Sequence, residues 1–204
     1  MAGGDIASDV IAELDSIIWD GLDPNNYRDP ATEAVANGIQ GHIDANWSIS
    51  ATTVGVVTPP TPLVPFPFTE SVTVDLTVAA SLALKALFLS MIAGTDPQAT
   101  MIAFFGALQA WLVPWPVSII SGTALNPIAG AGVATFPMAA MATPCYGQMS
   151  ASTPSDRGVA WDIMGTHIYN GLSGNIIAPI PTTGTYILPP TGVYAGVTTC
   201  VLTF

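Results

Sequence analysis

From Val72 to Ile120 the sequence carries three charged side chains, Asp75, Lys85 and Asp96, and is otherwise apolar or neutral. It reads as two apolar helices joined by a tight turn. Asp96-Pro97 marks the second start: Asp96 or Thr95 can accept from the free backbone N–H groups, and Pro97 sits where a missing N–H costs nothing. Gly94 is placed to stop the first helix, because glycine enters the left-handed region cheaply. Neither helix is amphipathic. Leu84, Leu87, Phe88 and Met91 mark one face of the first, while Val78, Leu82 and Leu89 mark the opposite face. A helix that is apolar all round must be buried, in protein or in lipid.

Charge decides what kind of burial to expect. The 204 residues include 14 acidic and 3 basic side chains, against about 50 charged residues in a typical soluble chain of this length. Disordered chains are poor in apolar residues, and half of this one is hydrophobic. Too few charges remain to coat a free globule, so neighbouring chains are expected to cover much of its surface. The charges are also segregated: nine of the 14 acids lie between Asp5 and Asp44, and none of the charged residues falls between Pro97 and Ser155 or after Asp162. A net charge of −11, with Arg28, Lys85 and Arg157 as the cations, excludes direct nucleic-acid binding, which requires Lys and Arg to displace counterions. Cys145 and Cys200 allow one disulfide at most, too few for a secreted scaffold. The start MAGGDIASDV has neither the basic nor the apolar region of a signal peptide, so none is expected.

Four regions are predicted. Residues 1–57 are an acidic helical region. In its first helix Ile6, Val10, Leu14, Ile17 and Ile18 form the apolar stripe, and Gly21 follows its end. Asp29-Pro30 opens a second helix, with Val35, Ile39, Ile43 and Trp47 at helical spacing; Gly38 and Gly41 cost it about 1 kcal/mol each and suggest close backbone approach. Residues 58–71 are a proline-rich strap in which Pro59, Pro62 and Pro65 recur every third residue, the repeat of a polyproline II rod. Residues 72–120 are the apolar hairpin, broken at Pro114 and Pro116. Residues 121–204 are neutral and rich in Gly, Pro and Thr, with one helix over 154–173 and a C-terminal β-hairpin. In the last strand Val193, Ala195, Val197, Thr199 and Val201 alternate with Tyr194, Thr198, Cys200, Leu202 and Phe204. No Lys or Glu guards that strand as an edge, so something should cover it. A weak echo links Val35-Ala36-x-x-Ile39-x-Gly41-His42-Ile43 with Val159-Ala160-x-x-Ile163-x-Gly165-Thr166-His167-Ile168, by duplication or by chance.

No constellation identifies a chemistry. The chain has no Gly-rich phosphate loop, no HExxH, no GxSxG and no CxxC. His42, His167, Cys145 and Cys200 lack the spacing of a zinc site, and each His is expected as a hydrogen-bonded side chain at a helix contact. Lys85, alone in an apolar helix, should pair with a carboxylate or reach solvent along its stem, and the expected partner is a carboxylate of the acidic first third, in this chain or a neighbour. No enzyme activity, cofactor, metal or small-molecule substrate is expected.

The remaining choice lies between a membrane and an assembly. The second apolar helix, from Pro97 to just before Pro114, would span about 25 Å, short of a bilayer core of ~30 Å. No Lys/Arg cluster flanks it, and Lys85 within the first helix would cost about 3 kcal/mol to insert. Mutual burial of subunits explains the missing charge, the bare last strand and the proline strap together. The candidate contact residues are the aromatic cluster Phe104, Phe105, Trp111 and Trp115, and Val197, Thr199, Val201 and Phe204 of the tail. Short N-terminal helices, a central apolar helical pair and uncharged arms such as IIAPIPTTGTYILPPTGVYAGVTTCVLTF resemble, in style, accessory structural proteins of tailed-bacteriophage virions. That resemblance implies a non-enzymatic subunit at capsid, neck, tail or baseplate, partnered by its own copies and by other virion proteins. The expected fold is α+β, mainly helical, with a central apolar helical hairpin and a small C-terminal antiparallel β element. The alternative is a small membrane-associated helical-hairpin protein.

Overall fold

The longest runs of alternating Val, Thr and Ser form the two longest strands, and these pair with each other. In the structure, a computed structural model that describes residues 3–17, 27–76, 79–91, 96–112 and 115–204, β1 (Ser48–Thr58) lies antiparallel to the C-terminal strand (Gly192–Thr203). Their register runs unbroken from Ser48 opposite Thr203 to Thr58 opposite Val193. β-Branched residues suit such a pleated, half-buried surface, and one side of each strand is buried while the other faces out.

The chain order is α1 (Gly3–Asp15), α2 (Arg28–Asn46), β1, β2 (Phe66–Ser71), β3 (Thr73–Leu76), α3 (Ser81–Ser90), α4 (Pro97–Leu112), β4 (Trp115–Ser121), β5 (Leu125–Ala129) and β6 (Ala131–Thr135). A 3-10 turn (Met138–Met141), α5 (Ala142–Ser152), α6 (Arg157–Ser173), β7 (Ile176–Ile177), β8 (Ile180–Tyr186) and β9 (Gly192–Thr203) complete it. One sheet has the order β2-β1-β9-β8-β5 and the other β3-β4-β6-β7, every pairing antiparallel. Among the described residues the chain changes sheets four times, between β2 and β3, β4 and β5, β5 and β6, and β7 and β8. At Val72, between β2 and β3, the N–H donates to the Ala51 carbonyl at 3.0 Å; at Gly130, between β5 and β6, the carbonyl accepts from Ile119 at 3.2 Å. Strands that switch sheets in this way close a two-sheet stack at its corners.

The helices pack mainly on one another. α1 lies against both α2 and α6, so the two echoing segments flank a common helix. Gly38 explains the closeness of α1 and α2, because a Cβ there would come within 2.6 Å of the Val10 Cα. Gly41, by contrast, has open space beside it. Asp96 accepts from the Gln98 N–H at 2.9 Å at the start of α4, and Asp156 caps α6 by accepting from Val159 at 2.9 Å. One continuous core joins helices and sheets. Its seam is aromatic: Trp111 meets Trp115 edge-on at 5.7 Å, and Trp115 meets Phe136 at 5.1 Å.

The expectation of a mainly helical fold with a small C-terminal β element is overturned by these two antiparallel sheets. The partner of the last strand, β1, lies about 150 positions earlier, where helical spacing up to Trp47 and the prolines after Thr58 drew attention from the alternation SISATTVGVV. β9 is therefore a central strand, covered on both edges by β1 and β8. The apolar stretch 72–120 is a helical pair set between two strands: β3 and β4 pair with each other, Leu76 opposite Val117, and α3 and α4 are the excursion between them. Residues 59–65 of the proline-rich segment connect β1 to β2. Pro67 stands on the edge strand β2, a place where its missing N–H is tolerated. α5 lies in the neutral region 121–204, where the sequence predicts a single helix over 154–173; it lacks charges and a clear apolar stripe and ends at Thr153 in the left-handed region, φ 40°. The proposed roles of Ile18, Gly21, Val78, Gly94, Thr95 and Pro114 fall outside the described residues.

Candidate functional site

β-Strand geometry sends alternate side chains to opposite faces, so the five-stranded sheet has one face on the core and one outside. The inner face carries Tyr194, Thr198, Cys200 and Leu202 of β9 and Ala51, Thr53 and Val57 of β1. The outer face carries Thr52, Val54 and Val56 of β1 and Val193, Val197, Thr199 and Val201 of β9. Its five valines are 44–68% exposed. Val54 and Val197 stand directly opposite each other near the middle. Pro67 and Thr69 of β2 and Pro181, Thr183 and Thr185 of β8 extend the face to either side. Among the described residues this face bears no charged side chain.

The β half as a whole contains two charges among the described residues, Glu70 and Asp75. Glu70 points away from the outer face, and its Oε1 accepts from the Ala124 N–H at 2.8 Å and from the Thr123 N–H and hydroxyl. That carboxylate ties β2 to the turn between β4 and β5. Asp75 is exposed on β3, in the other sheet.

The eight residues singled out from sequence divide into two groups. Val197, Thr199 and Val201 lie together on the outer face of β9. Phe105, Trp111 and Trp115 are buried in the core of their own chain, Phe104 is half-buried and stacked on Phe88 at 4.9 Å, and Phe204 packs edge-on to Phe136 at 6.2 Å. Val54, Val56 and Val193 belong to the outer face and were missed as contact residues. The alternation in residues 48–58 was the signal that could have found the first two.

Elsewhere many polar groups are engaged within the chain, while among the described residues His42 Nε2, Glu70 Oε2 and Trp115 Nε1 are buried without a hydrogen-bond partner. Lys85 lies 3.0 Å from Asp29 and 2.8 Å from Glu33, as expected of a lone cation in an apolar helix, and these hydrogen bonds raise its pKa. The buried His42 ring is held through Nδ1 by Asp9 Oδ2 at 2.8 Å. His167 Nε2 lies 3.0 Å from Gln148 Oε1, and burial lowers its pKa. Cys145 and Cys200 are buried free thiols; burial pushes Cys145 up to about 11 and Cys200 upward too. Among the described residues no group of three or more His, Cys, Asp or Glu could hold a metal ion. An apolar cleft of about 350 Å³ opens between α2, α3, α4 and α6, floored by Val35, Phe88, Phe104 and Met164. The Arg28 guanidinium at its edge donates to the Phe88 carbonyl at 3.2 Å and to the Met91 carbonyl, closing the end of α3. Leu82 on α3, 72% exposed, shows that the apolar helical pair is only partly covered by its own chain.

Comparison with family models, curated proteins and solved structures gives no match. Among the described residues, no helix is long and apolar enough to cross a membrane. What the outer sheet face can do is therefore read from its own chemistry. Among the described residues it carries no charged, His or Cys side chain, and it offers a broad surface of valine methyls and threonine hydroxyls.

Proposed function

We propose that this chain is a structural subunit of a large symmetric protein assembly, a component of a tailed-phage virion at capsid, neck, tail or baseplate. The observation that carries the reading is the uncharged, valine-bearing outer face of the five-stranded sheet, in a chain whose net charge is −11. A free protein normally places charges among exposed β-branched residues, because a contiguous apolar face invites association. Here the carboxylates sit almost entirely on the helical half, which leaves the sheet face suited to contact with another protein. The style of the N-terminal helices and the uncharged tail, similar to accessory virion proteins, supplies the kind of assembly. Its site within the particle would be fixed by partners rather than by any chemistry of its own.

The test is location. Particles made by the replicon that carries this gene are banded by density and analysed by quantitative mass spectrometry. The expected result is this chain at a fixed copy number set by the particle's symmetry. Its absence from purified particles, with the protein present in the lysate, would remove the proposal.

A further inference from the structure

We propose that the outer face of the five-stranded sheet binds the same face of a second copy of this chain. The inference rests on the subunit reading above and names the partner of that surface.

Three physical points select a second copy. The first is charge. Nine acids lie between Asp5 and Asp44, and those that are described sit on α1 and α2, so two copies meeting helix to helix would set carboxylate against carboxylate. The sheet face carries no carboxylate among the described residues, and an approach through it avoids that repulsion. The second is matching. A charged partner would lose hydration against valine methyls without gaining a counter-charge, and a basic one would be drawn to the helices instead. An identical face offers the same neutral Val/Thr pattern, and two sheets can stack with side chains interdigitated at about 10 Å.

The third point is area. β1 and β9 hold 11 and 12 residues, and β2 and β8 hold 6 and 7. At about 3.4 Å per residue and about 4.8 Å between strands, the face covers roughly 600 Å². Two copies would bury about 1,200 Å², the lower edge of the range for specific complexes, and without aromatic or charged anchors a dissociation constant in the micromolar range is expected. The threonine hydroxyls keep the face tolerable in water when the copies separate.

The experiment is sedimentation velocity of the full purified chain without detergent, from about 1 to about 200 µM. A monomer–dimer equilibrium is expected. Val54→Lys combined with Val197→Lys should weaken it at least about 100-fold by placing four like charges in the contact. Val133→Lys, on the exposed side of β6 in the other sheet, should leave it unchanged. Should the lysine pair prevent folding, Val197→Cys supplies a second reading: its maleimide labelling should slow as concentration rises, against the silent background of buried Cys145 and Cys200. A wild-type chain that stays monomeric at the highest concentration overturns the inference. So does a dimer that is indifferent to the lysine pair, or labelling of Val197→Cys that does not change with concentration. If the chain is nonetheless found in particles, the subunit reading survives and only its partner is wrong.

Discussion

In the helical half, Lys85 of α3 reaches Asp29 and Glu33 of α2, and Arg157 of α6 pairs with Asp15 of α1 at 2.5 Å. In the β half the Glu70 carboxylate ties β2 to the turn between β4 and β5, and the other ties are neutral. Thr53 and Thr198 share a buried hydroxyl contact at 2.6 Å, Thr182 meets the Tyr194 hydroxyl at 3.2 Å, and backbone pairing does the rest. Helices satisfy their backbones internally and must find side-chain reasons to sit together, and this chain uses its few cations for that. Strands are joined by the backbone itself, so the sheet needs no charge to hold its order. One consequence is an outer sheet face with no charged side chain among the described residues. The other is that the two halves should fail differently when altered.

The largest effect is expected where they meet. Trp115 is fully buried between Trp111 and Phe136, and replacing it by Ala should cost about 4 kcal/mol and loosen the coupling of the halves. Far-ultraviolet and near-ultraviolet circular dichroism should follow one urea curve in the wild type and separate curves in Trp115→Ala. Trp115→Phe should cost much less, because Nε1 has no hydrogen-bond partner among the described residues. Coincident curves in Trp115→Ala would show that the seam does not couple the halves.

Inside the β half, Gly196 faces Gly55 across the central strand pair, and Tyr194 lies over both. A Cβ at 196 would come within 2.4 Å of the Val54 carbonyl oxygen, a backbone atom that cannot yield without breaking register. Gly196→Ala should therefore destabilise by about 3 kcal/mol, read from the urea midpoint. A loss under about 1 kcal/mol would mean the strand pair is more pliable than its register implies.

The helical half offers a paired comparison. Gly38 and Gly41 look alike in sequence, both interior to α2. Gly38→Ala would press on the Val10 backbone and should cost about 2 kcal/mol, whereas Gly41→Ala meets nothing and should gain about 0.5–1 kcal/mol. Thermal unfolding of the two variants should move in opposite directions, and movement in the same direction would contradict the packing of α1 on α2.

That pair also shows what was legible in the sequence. Close approach was readable at Gly38, because glycine in a helix needs a reason, but nothing local separated it from Gly41. The cap at Asp96, the Lys85 pairing and the existence of five of the six helices follow from short-range patterns. The sheets do not. Ser48 meets Thr203, and Leu125 meets Tyr186, through pairings that no window of sequence contains. β5 and β6 are too short and too rich in Ala, Gly and Pro to alternate visibly, and the alternation of Trp115, Val117 and Ile119 in β4 was hidden at the end of the apolar stretch. For the candidate site, the alternation in residues 193–201 exposed half of the outer face, and the other half lay in β1. The aromatic cluster was visible as a cluster, but whether it faces a neighbour or its own core depends on tertiary packing.

The smallest expected effect is a pH dependence confined to the helical half. His167 of α6 is buried against α5, where Gln148 Oε1 can accept from Nε2, and burial lowers its pKa from the ordinary value of 6.5. The unfolded chain therefore takes up a proton at this site more readily than the folded one, so stability must rise with pH across the interval between the two values. Stability is fully present above about pH 6.5 and is lost as pH falls through the lowered folded value. His167→Gln removes the titration while retaining a polar side chain. Between about pH 7.5 and 5.5 the wild-type urea midpoint should fall more than that of His167→Gln. Because the described β half contains no histidine and two carboxylates, hydrogen exchange should locate the loss in α5 and α6 rather than in β1 and β9. Equal pH slopes for the two proteins would place the acid sensitivity elsewhere, and exchange spreading first through β1 and β9 would reverse the comparison between the halves.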